Sequence, residues 1–300
     1  MAAMRTFVDT MGRSVRVPRA PQRLVSLVPS ITETLFSFGW GAQIVGITDY
    51  CTEPAAGVAS KTTIGGTKNP DLTAILALQP DLVFAVAEEN RRADVEQLAA
   101  ANVPVYVFEP CTVRDGIDLL WRVAALLDCT TDVRAQIEAI EQAYAETRAL
   151  VAHRARVRVF CPIWKDPYMT INHETYVHDT LAVCGGDNIF APRQRRFPLA
   201  ADLGQQPEAA GARYEERDRR YPRVTLQEMA ALRPEVIVLP DEPYRFSAAD
   251  LADFTPFPEV PAVRDQRIYL IDGKIVTWYG PRIGHSLCTL RSLLAPEHSD

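Results

Sequence analysis

Apolar positions along this chain recur at two spacings, and the switch between them marks out the elements. Between residues 23 and 28, Leu24, Val25, Leu27 and Val28 form a near-continuous run that predicts a buried strand. Ser30-Ile31-Thr32-Glu33 follows as a capping box, and a helix is predicted through residue 38, where Gly39 and Gly41 break it. Residues 44–47 read as a strand, 72–78 as a helix and 82–86 as a strand. Residues 91–101 read as a helix with Val95 and Leu98 inward, and 103–108 as a strand. This alternation predicts a largely parallel sheet covered by helices on both faces.

From 115 to 154 the helical spacing is nearly unbroken. Ile117, Leu120, Val123, Ala124 and Leu127 share one face, and Val133, Ile137, Ile140, Tyr144 and Val151 repeat the pattern. One long helix joining two lobes is predicted; the alternative is a two-helix hairpin broken at Thr130.

Beyond it the scheme returns. Residues 157–161 read as a strand and 175–184 as a helix capped by Gly185-Gly186. Residues 226–232 follow as a helix, 236–239 and 268–271 as strands, and 282–294 as a closing helix. Residues 203–220 are polar and aperiodic and read as a surface excursion. One phrase occurs in both halves: Leu72-Thr73-Ala74-Ile75-Leu76-Ala77-Leu78-Gln79-Pro80-Asp81-Leu82-Val83 returns as Leu226-Gln227-Glu228-Met229-Ala230-Ala231-Leu232-Arg233-Pro234-Glu235-Val236-Ile237. Each copy is a short amphipathic helix, a proline that ends it for want of an N–H, and a buried strand. The expected architecture is α/β, with two Rossmann-like lobes and a ligand cleft between them. An N-terminal lobe spans 1–114, a bridging helix 115–154 and a C-terminal lobe 155–300.

Composition narrows the function classes. The chain has 300 residues, 47% hydrophobic and 23% charged, as an ordinary two-domain globular protein would. A net charge of −6 with no basic stripe argues against nucleic-acid binding. No apolar run approaches the roughly 20 residues that span a bilayer. The first residues show no apolar h-region, so as written the chain carries no signal peptide and a cytoplasmic location is expected, or an extracytoplasmic one if a leader was trimmed. The six cysteines form no C-x-x-C pair and read as small buried hydrophobes, with Cys51 set apart by its place in a predicted mouth loop.

Ligands of open α/β sheets bind at the carboxyl ends of the strands. Those ends carry Pro29-Ser30, Asp49-Tyr50-Cys51 and Glu88-Glu89-Asn90-Arg91 in the first lobe. In the second they carry Trp164-Lys165-Asp166-Pro167-Tyr168, Asp241-Glu242-Pro243-Tyr244-Arg245 and Trp278-Tyr279-Gly280-Pro281-Arg282. Aromatics mixed with a few charges suit a flat ligand fixed by polar groups. Phosphate-loop, dinucleotide and nucleophile-elbow motifs are absent. His173 and His178 lie five apart, off a common helix face, and read as capping or surface groups. Glu88 and Glu89 diverge on a helix, but in a loop one carboxylate can face a ligand. Arg193, Arg195 and Arg196 form a basic cluster that is either a solvated face or a contact for an anionic group.

Arg23-Leu24-Val25-Ser26-Leu27-Val28-Pro29-Ser30-Ile31-Thr32-Glu33, Gly46-Ile47-Thr48-Asp49-Tyr50, Pro80-Asp81-Leu82-Val83 and Cys184-Gly185-Gly186-Asp187-Asn188-Ile189-Phe190 together resemble the helical-backbone (class III) substrate-binding proteins of ABC transporters. The vitamin B12 and metal-chelate receptors are the nearest type, and the match runs through nearly the whole chain. The resemblance implies a non-catalytic receptor for a corrinoid (cobalamin-like), haem or iron-siderophore ligand, with no covalent cofactor and no metal site of its own. It implies a monomer and an ABC permease partner. It also implies cleft positions at Tyr50, Lys68, Glu88, Glu89, Trp164, Tyr221, Asp241, Tyr244, Trp278 and Tyr279. Family members present a glutamate from each lobe to permease arginines; the matching positions are Thr73 and Gln227, with Asp71 and Glu228 close by as substitutes. Where the B12 binder carries aromatic and glycine residues, this chain has Val86-Ala87-Glu88-Glu89, which predicts a more charged cleft. The missing leader and the uncharged Thr73 and Gln227 suggest a cytosolic carrier or sensor derivative. A metal-dependent hydrolase or a free-metal receptor built on Glu88, Glu89, His173 or His178 is the alternative.

Overall fold

The computed structural model describes residues 3–211 and 217–295. The chain forms two compact units, the first built from residues up to 110, 114–142 and 278–283. The second holds 111–113, 143–277 and 284 onward.

The first unit opens with an antiparallel hairpin of β1 (Met4–Val8) and β2 (Ser14–Pro18). Its main sheet uses β3 (Leu24–Ser26), β4 (Ile44–Ile47), β5 (Thr62–Thr63), β8 (Leu82–Val86) and β9 (Val105–Phe108). The order is β5-β4-β3-β8-β9, parallel throughout. Between β5 and β8 a small pair, β6 (Gly65–Gly66) with β7 (Asn69–Pro70), shapes the loop. The connecting helices are α1 (Pro29–Ser37), α2 (Ala55–Val58), α3 (Leu72–Ala77) and α4 (Arg92–Ala100). All residues of β8 and β9 are buried, as a parallel sheet covered on both faces requires. Each fully buried apolar side chain there contributes about 1.5–3 kcal/mol over exposure.

Two expectations fail here for local reasons. The predicted capping box at Ser30 does not form: Ser30 lies inside α1, Val28 is the cap residue with no side-chain bond, and Pro29 opens the helix. Glu33 instead makes a forked ion pair with Arg282, at 2.8 and 2.5 Å. The single helix over 115–154 is two, α5 (Val113–Leu127) and α6 (Thr130–Val151). Asp128 takes a left-handed conformation between them (φ 59°). Arg5 donates to the α5 carbonyls of Ala125 and Leu126 and to the Asp128 carboxylate, sealing the helix end. The two helices touch: Trp121 Nε1 donates to Glu141 and the Arg134 guanidinium lies over the Trp121 ring. The division between the units falls inside α6, after Gln142.

The second unit's sheet joins β10 (Val157–Phe160), β13 (Gly186–Asn188), β14 (Val236–Pro240) and β15 (Ile268–Ile271) in the parallel order β13-β10-β14-β15. A short antiparallel pair, β11 (Pro162–Trp164) with β12 (Met169–Thr170), extends from β10. Helix α7 (Tyr176–Val183) precedes β13, and Gly185 (φ 93°) turns the chain between them. Later helices cover Leu226–Ala231 and Ile283–Leu293. Phe160, Ile237, Leu239, Met229 and Phe254 are among its buried core residues. The 203–220 excursion lies partly outside the described residues; its described part holds no strand and no helix beyond the turn after Asp202.

The repeated phrase is one piece of carpentry used twice. In the first copy the Asp81 carboxylate accepts the backbone N–H groups of Gln22 and Arg23, and Arg23 Nε donates back to the helix-end carbonyl of Leu78. In the second the Glu235 carboxylate accepts the N–H of Arg158, whose guanidinium donates to Leu232 O. Gln79 and Arg233 both carry positive φ (46° and 49°), and Ile75 and Met229 are both fully buried. The acid after the proline therefore fixes the start of the neighbouring strand, which in return caps the helix.

Candidate functional site

In the first unit β4 and β8 deliver Tyr50, Glu88 and Glu89 to the carboxyl end of the sheet, and the turn between β6 and β7 brings Lys68 to Glu88. Tyr50 follows β4 and stands exposed, at 63%. Its ring lies 3.3 Å from where a Cβ on Gly66 would sit. Residues 87–89 form a turn after β8, not a helix, so the two glutamates are not forced apart. Buried Asn90 holds that turn: its Oδ1 accepts Val86 N–H, and its Nδ2 donates to the carbonyls of Leu27 and Thr67. One amide thus ties three strand-end loops together, and sequence reading missed it. Lys68 Nζ donates to the Glu88 carbonyl.

Trp278 and Tyr279 were expected in a second-lobe mouth. They belong to the first unit, because the 278–283 segment packs on α1. Gly280 makes this return possible: its φ is 129°, and a Cβ there would meet Thr34 Oγ1 at 2.8 Å. Tyr279 is buried and its hydroxyl donates to Glu89 Oε1 at 2.8 Å. Burial, with the Glu89 carboxylate next, pushes that phenol well above its ordinary pKa, so it remains a donor. Trp278 is buried with the Arg282 guanidinium over its ring. Cys51 is also buried, against Thr32 Oγ1 and Thr48 Oγ1, and burial raises its thiol pKa, which leaves it unreactive.

In the second unit Trp164 ends β11 and is 44% exposed, with Tyr244 edge-on at 5.9 Å. Behind this pair Tyr244 meets Phe246, and Phe246 stacks on Tyr168. Lys165 bridges Asp250 and Asp253, each at 2.7 Å, and the Tyr168 hydroxyl donates to Asp253. The lysine holds Asp250 below its usual pKa, and burial with the Asp253 bond raises Tyr168. The loop bearing Trp164 is therefore anchored on both sides. Asp241 serves the frame as well: its Oδ1 accepts the N–H of Gly273, joining the ends of β14 and β15. Tyr221 is half-buried with the Arg220 guanidinium over its ring.

The histidines stay apart in role. His173 Nδ1 bonds Ala191 O ahead of α7, while His178 sits on α7 with its pKa lowered by burial. Among the described residues no group of three His, Cys, Asp or Glu side chains converges as a metal site, and no helix is long and apolar enough to cross a membrane.

Both units therefore carry aromatics and carboxylates near the carboxyl ends of parallel strands. The chain belongs to the periplasmic binding protein family, whose model matches residues 24–275. It is 29% identical over 199 residues to the vitamin B12-binding protein of Pectobacterium atrosepticum, covering 63% of this chain and 70% of that protein. To the vitamin B12-binding protein of Yersinia pestis it is 27% identical over 181 residues, 60% of this chain and 64% of that one. Among solved structures, the periplasmic vitamin B12 binding protein of Vibrio cholerae matches with TM-score 0.74 at 19% identity, over 92% of this chain and 98% of that one. A periplasmic heme binding protein from Pseudomonas aeruginosa matches with TM-score 0.73 at 20% identity, over 92% and 94%. Identities this low establish the fold and leave the ligand to the site. The relatives are solute-binding proteins, and this chain is a binding protein and not an enzyme.

Proposed function

We propose that the chain is a receptor for a metal-bearing chelate of the corrinoid, haem or ferric-siderophore class. The mouth loops of either unit would contact the ligand. The observation that carries this reading is exposed Trp164, backed edge-on by half-buried Tyr244 on a loop held by the Lys165–Asp250 bridge, which offers one aromatic ring to a flat ligand. Tyr50, Lys68, Glu88 and Glu89 would supply polar contacts from the first unit, with Tyr221 and Asp241 near the second mouth. Buried Trp278 and Tyr279 would support the glutamate turn from behind. Two neighbouring carboxylates at the first mouth disfavour an anionic ligand. A corrinoid without net negative charge therefore ranks ahead of haem or an anionic siderophore, in line with the names of the sequence relatives. A thermal-shift panel of cobalamin, cobinamide, haem and ferric chelates tests it. A rise of several degrees with a corrinoid supports the reading, since ligand at about 100 Kd adds about 2.7 kcal/mol. No response to any member contradicts it.

The proposed partner is an ABC permease, and the proposed location is outside the cytoplasmic membrane, in keeping with the word periplasmic in the names of the matched family and of the solved structures. A second reading, a carrier acting apart from a transporter, is favoured by one set of observations. Thr73 and Gln227 are exposed but uncharged. Their charged neighbours are already employed: Asp71 caps α3 and Glu228 closes the capping box of the Leu226–Ala231 helix. Cell fractionation separates the two readings, with recovery in the periplasm ending the second. The proposed monomer is checked by light scattering at physiological salt.

A further inference from the structure

We propose that Arg193, Arg195 and Arg223 of the second unit form an oxyanion-binding site for a phosphate-type group. Their segments meet at the buried Asp202, whose own carboxylate is spent on backbone. Its two oxygens accept the N–H groups of Arg196 and Arg223, each at 2.8 Å. Arg193 Nη2 donates to the Asp202 carbonyl at 2.5 Å, and its nearest carboxylate, Glu228, stands 3.7 Å away and is engaged in the Thr225 capping box. The Arg195 guanidinium lies over the Phe197 ring at 4.8 Å and makes no hydrogen bond among the described residues.

What remains is a set of donors without acceptors. Arg223 Nε, Arg223 Nη1 and Arg193 Nε are buried and unpartnered. Guanidinium groups in such a position cost stability unless something accepts from them, because they remain charged at every physiological pH. Burial weakens the proton affinity of both Arg195 and Arg223, and the Arg195 charge further weakens that of Arg223. The Arg195 charge therefore weighs on Arg223, while the Asp202 carboxylate acts on both and Asp218 on Arg195 in the opposite sense. A bound oxyanion accepts from these orphaned N–H groups and offsets the positive charge. Phosphate and sulfate present several acceptor oxygens to separate N–H groups, which a single carbonyl does not.

The inference is independent of the proposed solute, so its test uses the whole protein without corrinoid or haem. The probe is inorganic phosphate, followed by thermal unfolding and calorimetry against sodium chloride of equal ionic strength. The expected result is a saturable rise in Tm of a few degrees with phosphate, weakened about tenfold or more in affinity by Arg223→Gln and by Arg195→Gln. A parallel titration with methyl phosphate distinguishes the source: equal or tighter binding points to the phosphate arm of an organic molecule, weaker binding to the free ion, and either supports the site. If the variants do not fold, the wild-type titration decides. A wild-type response no larger than that to chloride overturns the proposal, as does a phosphate response that persists unchanged in both variants.

Discussion

The two copies of the helix–proline–strand phrase share a frame and differ in what is mounted on it. Arg23, Leu78 and Asp81 in one unit do what Arg158, Leu232 and Glu235 do in the other, except that Asp81 clamps two backbone N–H groups and Glu235 one, while Arg158 gives its carbonyl two bonds and Arg23 one. At the far ends of the same strands the likeness stops. The first mouth is carboxylates on a turn, with buried Tyr279 behind Glu89. The second is an aromatic edge stiffened by Lys165, Asp250 and Asp253. Repetition belongs to folding and divergence to the proposed recognition, since strand ends can change without disturbing the sheet that carries them.

The largest effects should fall equally on both copies. Ile75→Ala and Met229→Ala each empty a fully buried helix position, and each should cost about 2–5 kcal/mol in urea unfolding. A copy that tolerated the change would break the equivalence. Next, Asp81→Ala should cost about 2–3 kcal/mol and Glu235→Ala about 1–2, following the number of charge-assisted bonds lost; equal costs would show that the second N–H contributes nothing. Removing the caps should be milder. Asp71→Ala and Thr225→Ala are each expected to lose about 1 kcal/mol, with Thr225 the larger because both halves of its box break.

The mouths give smaller, more selective signals. Lys165 holds Asp250 below its usual pKa. Opposing the cost of burial, Lys165 and Tyr168 do the same for Asp253. A depressed carboxylate contributes stability that is complete above its unfolded pKa, near about 4, and is lost as pH falls below it. The stability gap between wild type and Lys165→Met should accordingly be widest near neutrality and shrink on acidification below pH ~4; a gap that did not change with pH would mean that the bridge adds only packing. Smallest of all, Thr73→Glu and Gln227→Glu should move stability by no more than about 0.5 kcal/mol. The same pair should strengthen capture of a cognate permease in detergent if the importer reading holds.

Much of the frame was legible because burial on both sides of a parallel sheet leaves unbroken apolar runs such as 82–86. The repeat was legible because proline and acid recur at fixed places. The α5–α6 break was legible only as the alternative at Thr130, since it depends on Arg5, more than a hundred residues away in sequence, sealing a helix end, and on Asp128 accepting a left-handed turn. The Ser30 capping pattern misled because Glu33 found a stronger partner in Arg282. The return of 278–283 to the first unit left only one trace, Gly280, whose positive φ no sequence pattern announces. At the site, the aromatic and acidic strand ends could be read, whereas Asn90, which ties three loops, looked like ordinary turn composition.

Calorimetric titration of the purified protein with cobinamide and cobalamin tests the central claim most directly. The account predicts saturable one-to-one binding of at least one corrinoid, weakened about tenfold or more when Trp164 is replaced by alanine. Absence of heat and of any spectral change with both corrinoids, in protein that unfolds cooperatively, would contradict it.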